Sequence, residues 1–423
     1  MTAVDRWLLP DGVDEMLPEE AYKLESLRRE LLDLYQSWGY QLVITPLIEY
    51  LESLLVGTSQ DLDLHTFKIT DQLSGRMMGI RADITPQVAR IDAHCLHRNG
   101  TARFCYADSV LHTKPRGLLT SRVPIRVGAE LYGHAGADAD IELICLMHRG
   151  LQTAGIDNLS IVLGHVGIFR TLVSAAQLSG EAERILFEAL QRKAYEEIDR
   201  LLNEHVDDDD LRRMLYELSR LSGDASVLDQ ALEVFSEAPP SVGREIGELE
   251  AIARGVQKRI PEVTLCFDLC ELRGYEYHTG IVFGAYTPGY GRALAKGGRY
   301  DHIGEVFGRA RPASGFDSDL RSLVKLSSRE FQLPKAIMAP AGDDAELLDL
   351  ISQLRGQGEV VTVCFAREGE GRETGDGNRG DGSGGDSHRG DGLSIADMAG
   401  ELGCDRRLVR DKKGRWIIAA LGE

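Results

Sequence analysis

LRGYEYHTGIVFGAYTPGYGRALAKGGRYD, residues 272–301, is the stretch on which the fold turns. It opens on Arg273 and Gly274, runs through Tyr275, Glu276, Tyr277 and His278, and closes on Gly297, Gly298, Arg299 and Tyr300. Alternation through Tyr275, Tyr277, Thr279, Ile281 and Phe283 has period two, which predicts one face of a β-strand. Thr287-Pro288-Gly289-Tyr290-Gly291 is a turn signal, so two antiparallel strands are expected to enclose a small pocket. A guanidinium, phenols and a Gly-Gly close-approach point suit a small zwitterion that carries a ring. A hairpin core with no ligand is the plainer reading of the same residues.

Composition narrows the class. With 423 residues, 43% hydrophobic and 27% charged, the chain is expected to be a soluble globular protein of two or three domains. Its net charge of -19 argues against wrapping a nucleic acid, which calls for a basic face. Seven cysteines, an odd number with no secretory signal ahead of them, fit a reducing cytosol. Cys266 and Cys270 lack a second pair to complete a metal site, so no metal is expected. No apolar run approaches the roughly 18 residues a membrane span needs.

Along the chain, 21–39 reads as an amphipathic helix, with Leu24, Leu27, Leu31, Leu34, Tyr35 and Trp38 at helical spacing and a stop at Gly39. A strand over 40–45 ends at Pro46. Residues 66–81 read as a hairpin turned at Leu73-Ser74-Gly75, delivering Arg81-Ala82-Asp83-Ile84-Thr85-Pro86 and a helix over 87–97. Strands flank a Pro115-Arg116-Gly117 loop between 103 and 133. A helix over 138–154 and a buried strand over 159–164 follow. Residues 168–260 then read as almost wholly helical, with Asp207–Asp210 as a solvated loop and N-cap.

These segments together resemble the histidyl-tRNA synthetases, which are class II aminoacyl-tRNA synthetases. Their two histidine-specific elements are an Arg-Gly-Leu-Asp-Tyr-Tyr-like strand and an Ala-Gly-Gly-Arg-Tyr-Asp element, matched here at 273–278 and 295–301. The resemblance implies an α/β (α+β) fold, an antiparallel sheet flanked by helices, with a proline-bearing dimer motif at 39–46. It also implies a histidine site. Asp83, Thr85 and Glu130 would take the ammonium, whose three donors must be met when it leaves water. Arg273, Tyr277 and Tyr300 would take the carboxylate and ring, with His278 standing where many synthetases have tyrosine and Arg126 as a neighbour. An N-cap role for Asp83 or Thr85 is compatible with binding.

The nucleotide motifs depart from the family. A synthetase carries Phe-Arg-x-Glu on the first strand of its second motif; this chain has Leu111-His112-Thr113-Lys114. In the third motif Ser322 replaces the γ-phosphate arginine, and Asp317 and Asp319 replace small residues beneath the adenine. Arg321 stands one place early, which on a helix rotates a side chain by about 100°, so it is expected to miss the phosphate. Losing two charge-assisted phosphate contacts costs about 3–6 kcal/mol, or roughly 10²- to 10⁴-fold in ATP affinity.

The carboxyl end reads as strand, helix, strand over 335–365, then the low-complexity tract 368–392, which cannot bury apolar surface and is expected to be disordered. A short helix over 394–402 and a hairpin of 407–409 with 416–420 follow. The expected organisation is therefore a synthetase-like core (1–167 and 261–330), a helical insertion (168–260) and a reduced α/β domain (335–423). A preserved histidine site, damaged ATP motifs (His112, Lys114, Ser322) and a reduced terminal domain resemble the regulatory subunits of ATP phosphoribosyltransferase. That resemblance implies a cytosolic, non-catalytic protein without a cofactor, a homodimer within a hetero-oligomer containing short-form catalytic subunits. It would be required for their activity in the first step of histidine biosynthesis and would convey inhibition by free histidine. The competing reading is an active histidine-tRNA ligase in which Arg116, Arg122, Arg309 or Arg311 contacts phosphate; the plainer place for these arginines is a solvated loop or subunit interface.

Overall fold

The computed structural model describes residues 7–55, 60–115, 117, 120–272, 274–275, 277–365, 399–400 and 402–421. It divides into two compact units, Met1–Glu330 and Phe331–Glu423.

In the first unit, helix α1 (Pro18–Ser37) buries Leu24, Leu27, Leu31 and Tyr35 along one stripe. It ends as expected at Gly39, whose φ of +87° only glycine adopts readily. The strand foreseen over 40–45 shrinks to β1 (Gln41–Leu42). Beyond it, the Thr45 carbonyl and hydroxyl both accept from Arg81 Nη1 at 2.7 Å, which takes this backbone away from the sheet. Strands β2 (Ile48–Tyr50), β3 (Phe67–Thr70) and β4 (Met77–Ile80) form a small antiparallel sheet beside helices α2 (Leu51–Leu55) and α3 (Gln60–His65). Helix α4 (Thr85–Arg90) runs into a π-helical turn over Ile91–Leu96.

The main sheet is built from β5 (Ala102–Ser109), β6 (Ile125–Tyr132), β7 (Ser160–His165), β8 (Ser222–Gly223), β9 (Thr264–Asp268), β10 (Ile281–Tyr286), β11 (Ala295–Arg299) and β12 (Ala313–Asp319), with β1 at one edge. Its nine strands lie in the order β1-β5-β6-β12-β11-β10-β7-β9-β8. The centre is antiparallel, whereas β1 with β5 and β7 with β9 pair in parallel. Helices α1, α5 (Ala137–Thr153) and α12 (Leu320–Leu326) pack on this sheet; the Tyr35 ring meets Phe316 of β12 edge-on at 5.9 Å. Side chains alternate along a strand, so Gly315 and Asp317 point to the opposite face, where the site lies.

Between β7 and β9 the chain forms helices α6 (Val166–Ala175), α7 (Gly180–Gln191), α8 (Tyr195–His205), α9 (Asp209–Leu218), α10 (Ser226–Val234) and α11 (Pro240–Arg259). The acidic run caps α9 as predicted: Asp208 Oδ1 accepts from the backbone of Asp210 and Leu211, both at 2.9 Å. The helices break at Ser222-Gly223, which forms β8, the last strand of the sheet.

The decisive stretch differs from its reading in one respect. Gly274, Tyr275 and Tyr277 lie in turns, 278–280 carry no strand, and the strand begins only at Ile281. Gly274, at φ +73°, reverses the chain, and the amides of Tyr277 and His278 donate back to its carbonyl at 3.0 and 2.9 Å. Tyr275, Tyr277 and Thr279 therefore do not share a strand face with Ile281 and Phe283. The hairpin itself is present, with Val282 opposite Gly298.

The second unit holds β13 (Ala336–Pro340), α13 (Ala345–Gly356), β14 (Val360–Cys364), β15 (Cys404–Arg410) and β16 (Trp416–Ala420), in the order β14-β13-β15-β16. Helix α13 packs Leu347, Ile351 and Leu354 against Ile337, Ala339, Val361 and Leu408. Tract 368–392 and most of the predicted helix over 394–402 lie outside the described residues.

Candidate functional site

Strand register builds the site. Glu130 of β6 lies opposite Gly315 of β12, Gly128 opposite Asp317, and Arg126 opposite Asp319, while Gly298 and Lys296 of β11 sit opposite Gly315 and Asp317. One sheet face thus carries a carboxylate at one end, a glycine floor, and charged residues at the other end.

Glu130 is fully buried. Its Oε1 accepts from Thr85 Oγ1 at 2.8 Å and from Tyr106 Oη at 3.2 Å. Its Oε2 and the buried Tyr300 Oη have no hydrogen-bond partner among the described residues. A Cβ on Gly315 would collide with both oxygens, so both face the space that this glycine leaves open. Burial pushes the Glu130 carboxyl well above the usual carboxylate range; Thr85 and Tyr106 oppose this, and the nearby Asp83 and Asp317 add to it. A buried acceptor without a donor costs about 1–3 kcal/mol, so the cluster is incomplete as it stands and suits a cationic donor. Gly315→Ala is expected to destabilise the chain by about 1–3 kcal/mol through overpacking; a urea titration checks this, and an unchanged midpoint would contradict the crowding.

Beside the cluster is a cavity of about 70 Å³ lined by Asp83, Arg126, His278, Lys296, Gly297 and Asp317, among others. Asp83 Oδ1 accepts from the amides of Ile84 and Thr85 at 2.6 and 3.1 Å, so it holds the first turn of α4 while lining the cavity. The Tyr277 ring is 40% exposed and lies on His278 at 4.2 Å and near Tyr300 at 6.1 Å between centroids. The Gly-Gly element lets strands and ring approach: Cβ atoms would meet the Gly315 carbonyl at Gly297 and His278 Cδ2, at 2.6 Å, at Gly298. Of the predicted ligand residues, the structure brings Thr85, Glu130 and Tyr300 together, with Asp83 on the cavity and Tyr277 stacked on His278, which lines it. Arg273 lies outside the described residues. Tyr106 belongs to the network and was missed; its signal was register, since period two puts it on the same strand face as Phe104 and across from Gly128.

The other end of the sheet face opens into a cleft of about 450 Å³ lined by His112, Arg126, Lys296, Asp317, Asp319 and Ser322, among others. His112 is buried, with Nε2 3.0 Å from the Ala82 carbonyl and its ring 5.7 Å from that of His65. Lys114 is exposed on the connecting loop. Ser322 Oγ donates to Asp319 Oδ2 at 2.9 Å. Arg126 pairs with Asp317 at 3.4 Å. Arg321 is turned aside, donating to Ser121 Oγ at 2.9 Å and to Asp14 Oδ2 at 2.5 Å. Arg122 donates to the carbonyls of His112 and Asp11 at 3.1 and 3.2 Å, and Arg309 donates to Asn99 at 3.3 Å. Arg311 is neither solvated nor at a free surface. It is buried, donating to Asp92 at 3.3 Å and to the Arg98 carbonyl at 2.6 Å. Arg116 lies outside the described residues.

Comparison with known proteins matches residues 12–323 to the family model Histidyl-tRNA synthetase. Residues 334–376 match ATP phosphoribosyltransferase subunit HisZ C-terminal domain. A protein of Alkalilimnicola ehrlichii named ATP phosphoribosyltransferase regulatory subunit is 51% identical over 419 residues, 99% of this chain and 98% of that one. One of the same name from Pseudomonas fluorescens is 55% identical over 422 residues, covering 100% of both. Among solved structures, an ATP phosphoribosyltransferase regulatory subunit/histidyl-tRNA synthetase from Bacillus halodurans superposes with a TM-score of 0.75 at 26% identity, covering 84% of this chain and 92% of that one. Histidyl-tRNA synthetase from Nostoc sp. gives 0.72 at 18% identity over 98% of this chain and 97% of its own, a likeness of fold.

Proposed function

The chain belongs to the family of ATP phosphoribosyltransferase regulatory subunits, and on that basis we propose that it is a non-catalytic partner of short-form ATP phosphoribosyltransferase chains. It is required for their turnover in the first step of histidine biosynthesis and conveys inhibition by free histidine. The observation that carries the histidine site is the pair of buried oxygens, Glu130 Oε2 and Tyr300 Oη, facing the space beside Gly315 with no donor among the described residues. An α-ammonium supplies the donors they lack. Asp83 and Thr85 complete its surroundings, Arg273 takes the carboxylate, and Tyr277 with His278 reads the imidazole.

Absence of ligase activity is supported by the neighbouring cleft. His112 is turned into a backbone carbonyl, Ser322 is bonded to Asp319, and Arg126 is neutralised by Asp317. A triphosphate brought here meets Asp317 and Asp319 beside Arg126, Arg292 and Lys296, with no arginine at 112 or 322 to stabilise phosphoryl transfer. The net charge of -19 supports a role without nucleic acid. Leu42, Ile44, Leu47 and Ile48 are exposed from β1 to the start of β2 and support a homodimer through this stretch. A cytosolic location fits a biosynthetic subunit, and no described helix is long and apolar enough to cross a membrane.

Two assays test this reading. Pyrophosphate exchange into ATP is expected to be no faster with histidine than without it. Turnover of a short-form catalytic subunit is expected to rise on adding this chain and to fall when histidine follows. Histidine-dependent exchange at a useful rate would reinstate the ligase.

A further inference from the structure

The helical insertion grips the rim of the pocket from outside. Helix α6 starts where β7 ends, and the Val166 amide donates to the Gly280 carbonyl at 3.1 Å, fixing the helix to the end of the segment that carries Gly274, Tyr275, Tyr277 and His278. About one turn along α6, Arg170 Nη2 donates to two carbonyls of that segment, Tyr275 at 2.9 Å and His278 at 3.0 Å. Its guanidinium also lies 4.9 Å from the centroid of the Tyr275 ring. The Tyr275 ring leaves the pocket, packing against Phe169 at 5.2 Å and Phe187 at 5.4 Å, and its hydroxyl donates to Glu183 Oε1 of α7 at 2.6 Å. Burial and Glu183 push this phenol up to about 12, so it remains a donor throughout the neutral range. Phe169, Arg170, Glu183 and Phe187 do not line the cavity; their contacts end on the backbone and outer side of the segment that presents Tyr277 and His278.

Turn backbone without a ladder has few hydrogen bonds of its own, so its shape follows whatever holds its carbonyls. We propose that Arg170, Tyr275 and Glu183 are positioning residues for the histidine pocket, through which α6 and α7 set its affinity. The inference rests on the reading that free histidine occupies this pocket. By linkage, a partner that shifts α6 and α7 alters histidine affinity, and histidine alters the partner's affinity by the same factor.

The test is calorimetric titration of the full chain with histidine. Arg170→Ala is expected to weaken binding roughly ten- to a hundredfold, through loss of charged-donor bonds to two carbonyls, with Arg170→Lys recovering part of the loss. Tyr275→Phe and Glu183→Gln are expected to weaken it about three- to tenfold each, with melting temperatures within about 2 °C of wild type. Their double variant is expected to be no weaker than Tyr275→Phe alone, because Glu183 acts through the hydroxyl that this variant already removes. Arg184→Ala, which breaks an exposed pair on the same helix, is expected to bind as wild type. Wild-type affinity in Arg170→Ala, or additive losses in the double variant, would overturn the inference alone. A wild-type chain that does not bind histidine would remove both it and the reading beneath it.

Discussion

Asp140→Ala is expected to cost about 3–5 kcal/mol of unfolding free energy, the cost of leaving a charge buried without its partner. Asp140 is fully buried in the first turn of α5, where Oδ2 accepts from Arg299 Nη2 at 2.5 Å and Oδ1 from Ser314 Oγ at 2.6 Å. Arg299 side-chain exposure is only 5%, and its other partners are the carbonyls of His134 and Gly136, at 3.3 and 3.2 Å, and Asp301 at 3.4 Å. Burial raises the Asp140 carboxyl above its ordinary range despite the attraction of Arg299. A raised folded value means that the contribution of this group is fullest below the unfolded value, about 3.9, and declines as pH climbs to the folded one. The pair therefore adds little over an apolar equivalent, yet removing one half is costly. Asp140→Leu combined with Arg299→Met is expected to be less damaging than Asp140→Ala alone. Urea unfolding of the three chains decides it, and a cost below about 1 kcal/mol for Asp140→Ala would mean that Asp301 and the carbonyls suffice for Arg299.

How far the site was legible depends on whether a residue's surroundings are local. The hairpin of β10 and β11, the Asp208 cap and the close approach at Gly297-Gly298 follow from turn residues, capping chemistry and period two, which act over a few positions. The rotation of Arg321 away from the cleft was legible for the same reason, because a one-residue shift on a helix has a fixed angular consequence; its destination, Asp14, was not, being 307 positions away in sequence. Tyr275 shows how alternation fails. Its spacing to Ile281 fits a strand, but Gly274 reverses the chain, and the ring finds an aromatic niche on α6 and α7 that only the fold creates. The acidic charge balance favours a solvated loop or subunit interface for Arg311. Gly133, at φ +85°, leaves the room that its guanidinium fills, and a Cβ there would collide with it. Glu130 is legible as a candidate ligand from its motif position, whereas its unmet oxygen depends on the packing around Gly315 that only the fold creates.

Glu130→Gln is expected to weaken histidine binding by about 2–5 kcal/mol, on the order of 30- to 5000-fold, since it truncates one half of a desolvated charge pair while preserving shape. In the unliganded chain burial holds the Glu130 carboxyl well above the usual range, with Asp83 and Asp317 reinforcing that direction. An ammonium beside Oε2 favours the carboxylate and lowers its pKa, so association releases a proton wherever the pH lies between the liganded and unliganded values. Affinity therefore rises with pH across that window and levels off above the unliganded value. Titrations in buffers of different ionisation enthalpy read the proton count, and Glu130→Gln separates it from titration of the ligand's own imidazole. Stability should move the other way. A carboxyl raised on folding contributes fully below its unfolded value, about 4.3, and loses that contribution as pH rises to the folded one. At pH 7 to 8 the unliganded Glu130→Gln chain is thus expected to be at least as stable as wild type while losing its ligand. A variant that lost stability and binding together, or that released the same proton as wild type, would show that Glu130 supports the fold and does not meet the ammonium.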